Sequence, residues 1–225
     1  MFSYAFARAY CEKHNLKLHT DPWIGQKIFN IDDPPIPEGE FPKRDENNLV
    51  DGESDFIFRS YCQQQKFLIY TKLQCWTWFE IRGEIADRLS VLNHLVKLPV
   101  GHRRAGDYSG YGYPVVSELS YRHAAVNFSE PQPTIFTEES SPYSGLMVGE
   151  LRDIPDFYML SKAAILFRGN STFSWWAAVL GHSKVYSPIM YGCKGGEENH
   201  CSFIEGNWPR FRADLDFITD LHLPE

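Results

Sequence analysis

The most constraining feature of this chain is an alternation of short apolar runs and helix-type segments between residue 97 and Pro188. "KLPVGHRR" is a short apolar run that ends in basic residues. "SELSYRHAAVNF" has helical spacing, with Leu119, His123, Ala124 and Phe128 on related faces. "PTIFTEES" reads as a strand, and "DIPDFYMLSKA" as a helix that Asp153 or Asp156 can cap. "AAILFRG" is a strand, "STFSWWAAVLG" a helix closed by Gly181, and "SKVYSP" a strand closed by Pro188. Strand and helix in regular succession predict parallel βα units, and so an α/β fold. In such sheets ligands bind beyond the carboxyl ends of the strands, where helix N-termini point.

The rest of the chain is less regular. Phe2 to about His14 reads as a helix, and Leu16–His19 alternates like a short strand. "DDPPIPEGEFPKRDENNLVDGE" is proline-rich and charged, which suits a surface excursion. After it come a strand or turn to Tyr61 and then helices to about Leu95. A composition of 43% hydrophobic and 23% charged residues describes a globular chain. The net charge of -7 argues against a general nucleic-acid or anionic-membrane surface. No apolar run approaches the roughly 20 residues of a membrane span. The opening "MFSYAFARAYCEKHN" lacks the basic-then-apolar order of a secretory leader. The five cysteines are Cys11, Cys62, Cys75, Cys193 and Cys201, an odd count without tight spacing. Together these predict a reducing, cytoplasmic location and make the sequons at Asn127 and Asn170 chance matches. Cys193, His200 and Cys201 hint at zinc, but no CxxC pair supports it, and a plain loop is the simpler reading.

Two stretches carry chemistry. The first is "GHRRAGDY", Gly101 to Tyr108, at a strand end. His102 and Arg104 are two apart and share a face if the strand extends that far. Arg104 presents a planar fork of donors suited to phosphate, and Asp107 is close enough to hold it. The alternative is a surface Arg–Asp pair, which contributes little. The second is "RGNSTFSWWAAVL". Gly169 and Asn170 make a turn, Ser171 or Thr172 caps a helix, and Trp175 and Trp176 anchor its first turns by packing. A helix start leaves backbone N–H groups unpaired and carries the positive end of the dipole, which together suit an anion. An ordinary capped core helix has the same pattern. Two strand ends on one sheet edge, one with a guanidinium and one with a hydroxyl-rich helix start, supply what a diphosphate needs. No G-x-G-x-x-G follows a strand, and no G-x-x-x-x-G-K-[ST] is present.

These stretches resemble the α1,2-fucosyltransferases, inverting glycosyltransferases that use GDP-fucose. Their strand-end motif, His-x-Arg-Arg-Gly-Asp-Tyr, is matched by His102-Arg-Arg104-Ala-Gly106-Asp107-Tyr108. Their later signature is matched almost residue for residue by "DFYMLSKAAILFRGNSTFSWWAAVL", Asp156 to Leu180. "IFTEES", "SYCQQQKF" and "MFSYAFARAYCEKHNLKL" resemble further segments, so the likeness spans most of the chain. Three departures stand out. The family's Gly-Gly-Leu-Gly-Asn-Gln turn precedes Met-Phe-x-Tyr-Ala, whereas this chain starts at Met1. The second motif arginine is Ala105. The segment between Leu18 and His102 is short.

The resemblance implies a GT-B-like fold of two Rossmann-like lobes. A reduced N-terminal, acceptor-side lobe would span 1–98 and a nucleotide-sugar-binding lobe 99–225. It implies fucose transfer from GDP-fucose to a carbohydrate acceptor, with no divalent metal. Arg104, Asp107 and His102 would be catalytic: Arg104 stabilises charge on the leaving diphosphate, Asp107 positions it, and His102 contacts the nucleotide or holds the loop. His102, Arg104, Thr137, Glu138, Asn170, Ser171, Thr172, Phe173 and Ser174 would bind the donor, with Thr137 and Glu138 at the guanine. The base is not evident; Asp21, after the first strand, is a candidate. Tyr111, Tyr113, Trp208 and Phe211 are aromatics able to stack on a sugar or simply to pack. Other readings are a non-catalytic nucleotide-sugar-binding relative, or transfer from another sugar nucleotide.

Overall fold

The computed structural model describes residues 1–45, 47–63, 65–137 and 143–207. The chain divides into two compact units, Met1–Arg82 and a second that begins at Gly83. This division lies ahead of the 98/99 boundary expected from the sequence.

In the first unit, α1 (Phe2–His14) ends at Asn15, whose left-handed backbone (φ 53°) lets the turn close on the carbonyls of Cys11 and Glu12. It buries Phe2, Ala5, Phe6, Ala9 and Tyr10 along one stripe, and Tyr4 is buried beside it. A short α2 (Ile24–Ile28) follows. The proline-rich excursion holds a short strand, β1 (Lys43–Arg44), which pairs in parallel with β2 (Ile57–Phe58) in the stretch that follows it. α3 (Lys72–Trp78) starts with a capping box in which Thr71 accepts from the Gln74 amide. Leu16–His19 is not a strand. Its alternation marks two faces, but a strand also needs a ladder partner; the backbone bonds flanking it run from Leu16 to Cys11 and from Thr20 to Pro34.

The second unit is α/β, as the alternation requires. Its elements are α4 (Gly83–Leu89), β3 (Val100–Arg103), α5 (Gly106–Gly110), β4 (Val115–Val116), α6 (Glu118–Asn127), β5 (Thr134–Thr137), α7 (Ile154–Lys162), β6 (Ile165–Phe167), α8 (Thr172–Leu180), β7 (Lys184–Pro188), β8 (Glu198–Asn199) and β9 (Phe203–Glu205). The central sheet has the order β5-β3-β6-β7-β9. Its first four strands are parallel, and β9 runs antiparallel to β7. β4 and β8 form a separate parallel pair.

This order creates a switch point. From β3 the chain passes outward to β5, then returns over β3 to β6 and continues through α8 to β7. The connections leaving the adjacent strands β3 and β6 therefore diverge, and in sheets of this kind the ligand crevice lies beyond the carboxyl ends of such a pair. On one face α6 packs Tyr121, Ala124 and Ala125 against Phe167, Tyr186 and Phe203. The Phe167 and Tyr186 rings stack at 4.8 Å. α7 and α8 pack together.

Several local expectations change. α6 buries Ser120, Tyr121, Ala124 and Ala125, whereas Leu119 and His123 face outward. Ser120 goes inside because its hydroxyl accepts the Cys201 amide at 2.9 Å. Asp153 occupies the cap position of α7 without a side-chain capping bond; Pro155 sits in the first turn, where no N–H is needed. Gly181 ends α8 in extended backbone, not the left-handed region. A Cβ there would lie 2.3 Å from the Ser161 carbonyl oxygen, so close approach selects this glycine. Among the described residues no helix is long and apolar enough to cross a membrane.

Candidate functional site

The two stretches singled out in the sequence lie at the switch point. β3 pairs Val100 with Leu166 and Gly101 with Phe167 of β6, so the chain beyond each strand emerges side by side. Gly169 makes this approach possible. A Cβ at that position would sit 2.6 Å from the His102 carbonyl oxygen. That carbonyl also accepts the Tyr121 hydroxyl at 2.7 Å, which fixes the strand end from below.

α8 starts as a capped helix. Ser171 is extended (φ -93°, ψ 141°) and its Oγ accepts the Phe173 amide at 3.2 Å. The cap thus uses one of the first-turn N–H groups. Ser174 is fully buried and donates its hydroxyl to the Ser171 carbonyl at 3.1 Å and the Gly169 carbonyl at 3.4 Å, so it secures the turn. Thr172 and Phe173 are only partly buried and form the outer rim of the helix start. Trp175 and Trp176 are buried with their rings perpendicular at 5.1 Å. Each large buried ring contributes on the order of 2–3 kcal/mol, enough to hold the helix end rigidly.

β3 stops at Arg103, so the shared-face argument for His102 and Arg104 does not carry to Arg104, which begins the turn into α5. Its Nε and Nη2 grip both carboxylate oxygens of Asp107 at 2.9 and 2.8 Å. The same fork holds the Asp107 carboxyl below its ordinary range. The guanidinium lies over the Tyr108 ring at 5.5 Å. The Tyr108 hydroxyl in turn donates to the Asn170 carbonyl at 3.5 Å, linking the two stretches. Burial pushes the Tyr108 phenol up to about 12, so it stays protonated and able to donate.

His102 is 5% exposed, and its ring stands 5.4 Å from Phe173. Burial first, then the nearby Arg104 and Arg168 cations, lower its pKa to about 3. The imidazole is therefore neutral, and its Nδ1 has no hydrogen-bond partner. Asn170 is buried, with Nδ2 donating to the Pro114 carbonyl at 2.8 Å and Oδ1 unpartnered. Thr137 closes β5 in register with Arg103. Glu138, Trp208 and Phe211 lie outside the described residues. Tyr111 is 75% exposed, and Tyr113 packs on Tyr108 at 5.1 Å.

Reasoning from sequence missed Arg168. It is fully buried beneath the helix start, with Nη1 donating to Asn207 at 3.1 Å and Nη2 to the Ser171 carbonyl at 3.5 Å. Nε has no partner, and among the described residues no carboxylate pairs with it. Burial lowers its pKa to about 9, so the guanidinium keeps its charge at neutral pH. The available signal was one cation closing the apolar run "AAILFRG". Arg103 was also underweighted. It donates to Glu198 at 2.6 Å and to the Val116 carbonyl at 3.0 Å, tying β3 to the β4–β8 pair.

The arrangement is electropositive: Arg104, Arg168 and a helix N-terminus surround a neutral imidazole, with unpartnered polar atoms buried at its base. It can receive an anion. Among the described residues no group of three or more His, Cys, Asp or Glu is placed to hold a metal ion. The sequence contains one Asp-x-Asp, Asp214-Leu-Asp216, which lies outside the described residues.

The first unit contains a separate cavity of about 590 Å³, lined by aromatic faces including Tyr4, Phe6, Trp23 and Phe58 and by Asp21 and Asp55. Asp21 sits 4.0 Å from Arg59 and is largely exposed. Comparison of the chain with protein-family models, curated proteins and solved structures returned no match.

Proposed function

We propose that this chain is an inverting glycosyltransferase that transfers fucose from GDP-fucose to a carbohydrate hydroxyl. The observation that carries the reading is the meeting of the Arg104 strand end and the Ser171-capped helix at the switch point between β3 and β6. Such crevices take nucleotide diphosphates. The choice of GDP-fucose rests on the resemblance of Asp156–Leu180 and His102–Tyr108 to the α1,2-fucosyltransferases, as does a GT-B-like pairing of lobes.

In this reading the diphosphate lies across the start of α8. Its leaving oxygen gains negative charge as the bond to the sugar breaks, and donors already aimed at that oxygen lower the barrier. Arg104 supplies the fork, held from one side by Asp107. The first-turn amides of α8 supply N–H donors, with Ser171, Asn170 and Ser174 shaping the turn. Arg168 adds a fixed positive charge from behind. His102 is neutral, so it supports the crevice by shape and hydrogen bonding, not by charge. Thr137, at the adjacent strand end, faces the base. The aromatic cavity of the first unit suits a sugar ring, and Asp21 is the candidate base there.

A thermal-shift panel of GDP-, UDP- and dTDP-sugars, followed by a turnover assay with and without EDTA, tests the proposal. It requires the largest stabilisation from GDP-sugars, transfer with inversion, and activity that survives chelation. Stabilisation without product leaves a binding protein. A strict metal requirement contradicts the reading.

A further inference from the structure

We infer that Cys193 and Cys201 form an intramolecular disulfide on exposure to a low-molecular-weight disulfide, and that this bond staples the loop that braces Arg103. The inference does not depend on the donor-site reading. It rests on placement. The two Sγ atoms are 3.4 Å apart, within one apolar cluster that also contains Met190, Tyr121 and Phe203. Residue spacing alone carries no sign of this, because the two residues are brought together by the return of β9 along β7.

The residues between them form a closed loop. Asn199 clamps it from inside, accepting the Lys194 amide at 2.8 Å and donating to the Lys194 and Glu197 carbonyls at 2.9 and 2.7 Å. The outer side of the loop docks on the segment that follows the Arg104 turn. Val115 donates to the Glu197 carbonyl, Ser117 to the Asn199 carbonyl, and Gly196 to the Tyr113 carbonyl, at 2.9, 2.8 and 3.1 Å. Glu198 receives the Arg103 guanidinium. The mouth of this loop is the cysteine pair. Cys201 is held on its other side, where its amide donates to Ser120. A bond across the mouth therefore restrains a short loop that supports the residue next to Arg104.

The chemistry is an exchange. Cys193 is 9% exposed and Cys201 4%, and burial with the neighbouring Cys193 raises the Cys201 thiol above its ordinary range. Cys193, the more exposed of the two, meets the oxidant first. Its thiolate attacks one sulfur of oxidised glutathione and expels one glutathione thiolate. The Cys201 sulfur, giving up its proton, then displaces the second glutathione from Cys193. The protein loses two protons and two electrons, and the oxidant leaves as two thiols.

The test compares the chain treated with oxidised glutathione and with dithiothreitol, with free thiols then alkylated and the protein digested with trypsin. The expected product joins peptides 185–194 and 195–210, lighter by two hydrogens than their sum. The oxidised form should melt about 5–10 °C above the reduced form, the gain expected for closing so small a loop in a chain of this size. Cys193→Ser and Cys201→Ser should show neither effect. The wild-type chain supplies both redox states, so the peptide map decides even if a variant folds poorly. Complete alkylation of both cysteines after oxidation, glutathione adducts alone, linkage to Cys11, Cys62 or Cys75, or an unchanged melting temperature would each overturn the inference.

Discussion

The imidazole of His102 lies 5.4 Å, centroid to centroid, from the ring of Phe173. Phe173 in turn meets Phe157 of α7 edge-on at 5.2 Å. Three rings thus connect the end of β3, the first turn of α8 and the helix packed behind it. The strand end and the helix start cannot separate without breaking this contact, so the geometry of the crevice is built into the core.

Arg104→Ala should weaken GDP binding by about 10–100-fold, the loss expected for one charge-assisted contact. Stability should change by less than about 1 kcal/mol, because the Arg104–Asp107 pair is partly exposed and such pairs contribute little. Calorimetric titration with GDP, alongside urea unfolding, measures both. Unchanged GDP affinity in a folded variant removes Arg104 from the site.

Arg168→Met separates charge from packing. Burying an apolar chain of similar length in place of a cation without a carboxylate partner should leave stability equal or raise it. GDP affinity should fall about 3–10-fold, since Arg168 acts through its field and not by contact. A strongly destabilised variant would mean that the bonds to Asn207 and Ser171 make Arg168 a structural residue.

Gly169→Ala should cost about 1–3 kcal/mol, because its Cβ meets the backbone carbonyl of His102, which has nowhere to move. The melting temperature should drop by about 2–12 °C, and GDP binding should weaken as the two strand ends are forced apart. Differential scanning fluorimetry with and without GDP reads both effects. A variant as stable as the parent contradicts the close packing at this point.

His102 gives stability a pH dependence of known sign. Its pKa falls from 6.5 to about 3 on folding, so the unfolded chain takes up the proton first. Stability from this group is complete above about pH 6.5 and is lost as pH falls toward 3, by up to about 1.4 kcal/mol per unit. Between pH 6.5 and 5 the parent should therefore lose about 2 kcal/mol more than His102→Gln. Urea midpoints across this range supply the comparison; parallel curves for the two proteins would show that His102 is not held neutral by burial.

Much of the second unit was legible because helix and strand periods differ and turn residues separate them. The runs around Val100, Thr134, Ile165 and Val185 all became sheet strands, and the Ser171 cap followed from a hydroxyl ahead of an apolar helical stripe. The Leu16–His19 alternation misled, because a period of two describes faces and says nothing of a hydrogen-bonded neighbour. The paired strands β4 and β8 were missed for the related reason that each is two residues long and is defined only by a distant partner. Arg168 was passed over because an apolar run reads as core, and one cation within it changes neither the period nor the mean hydropathy.

The sequence by itself determined the succession β3, α6, β5, α7, β6, α8 and β7 in the second unit, and which two strand ends bear donors for an anion, because those properties follow from local spacing and side-chain chemistry. Tertiary structure alone decided that β3 and β6 are neighbours with diverging connections, that Arg168 lies charged beneath the helix start, and that Cys193 meets Cys201. Each of these depends on which distant segments share the core, and that is set by the summed packing of the whole sheet, not by any single stretch of chain.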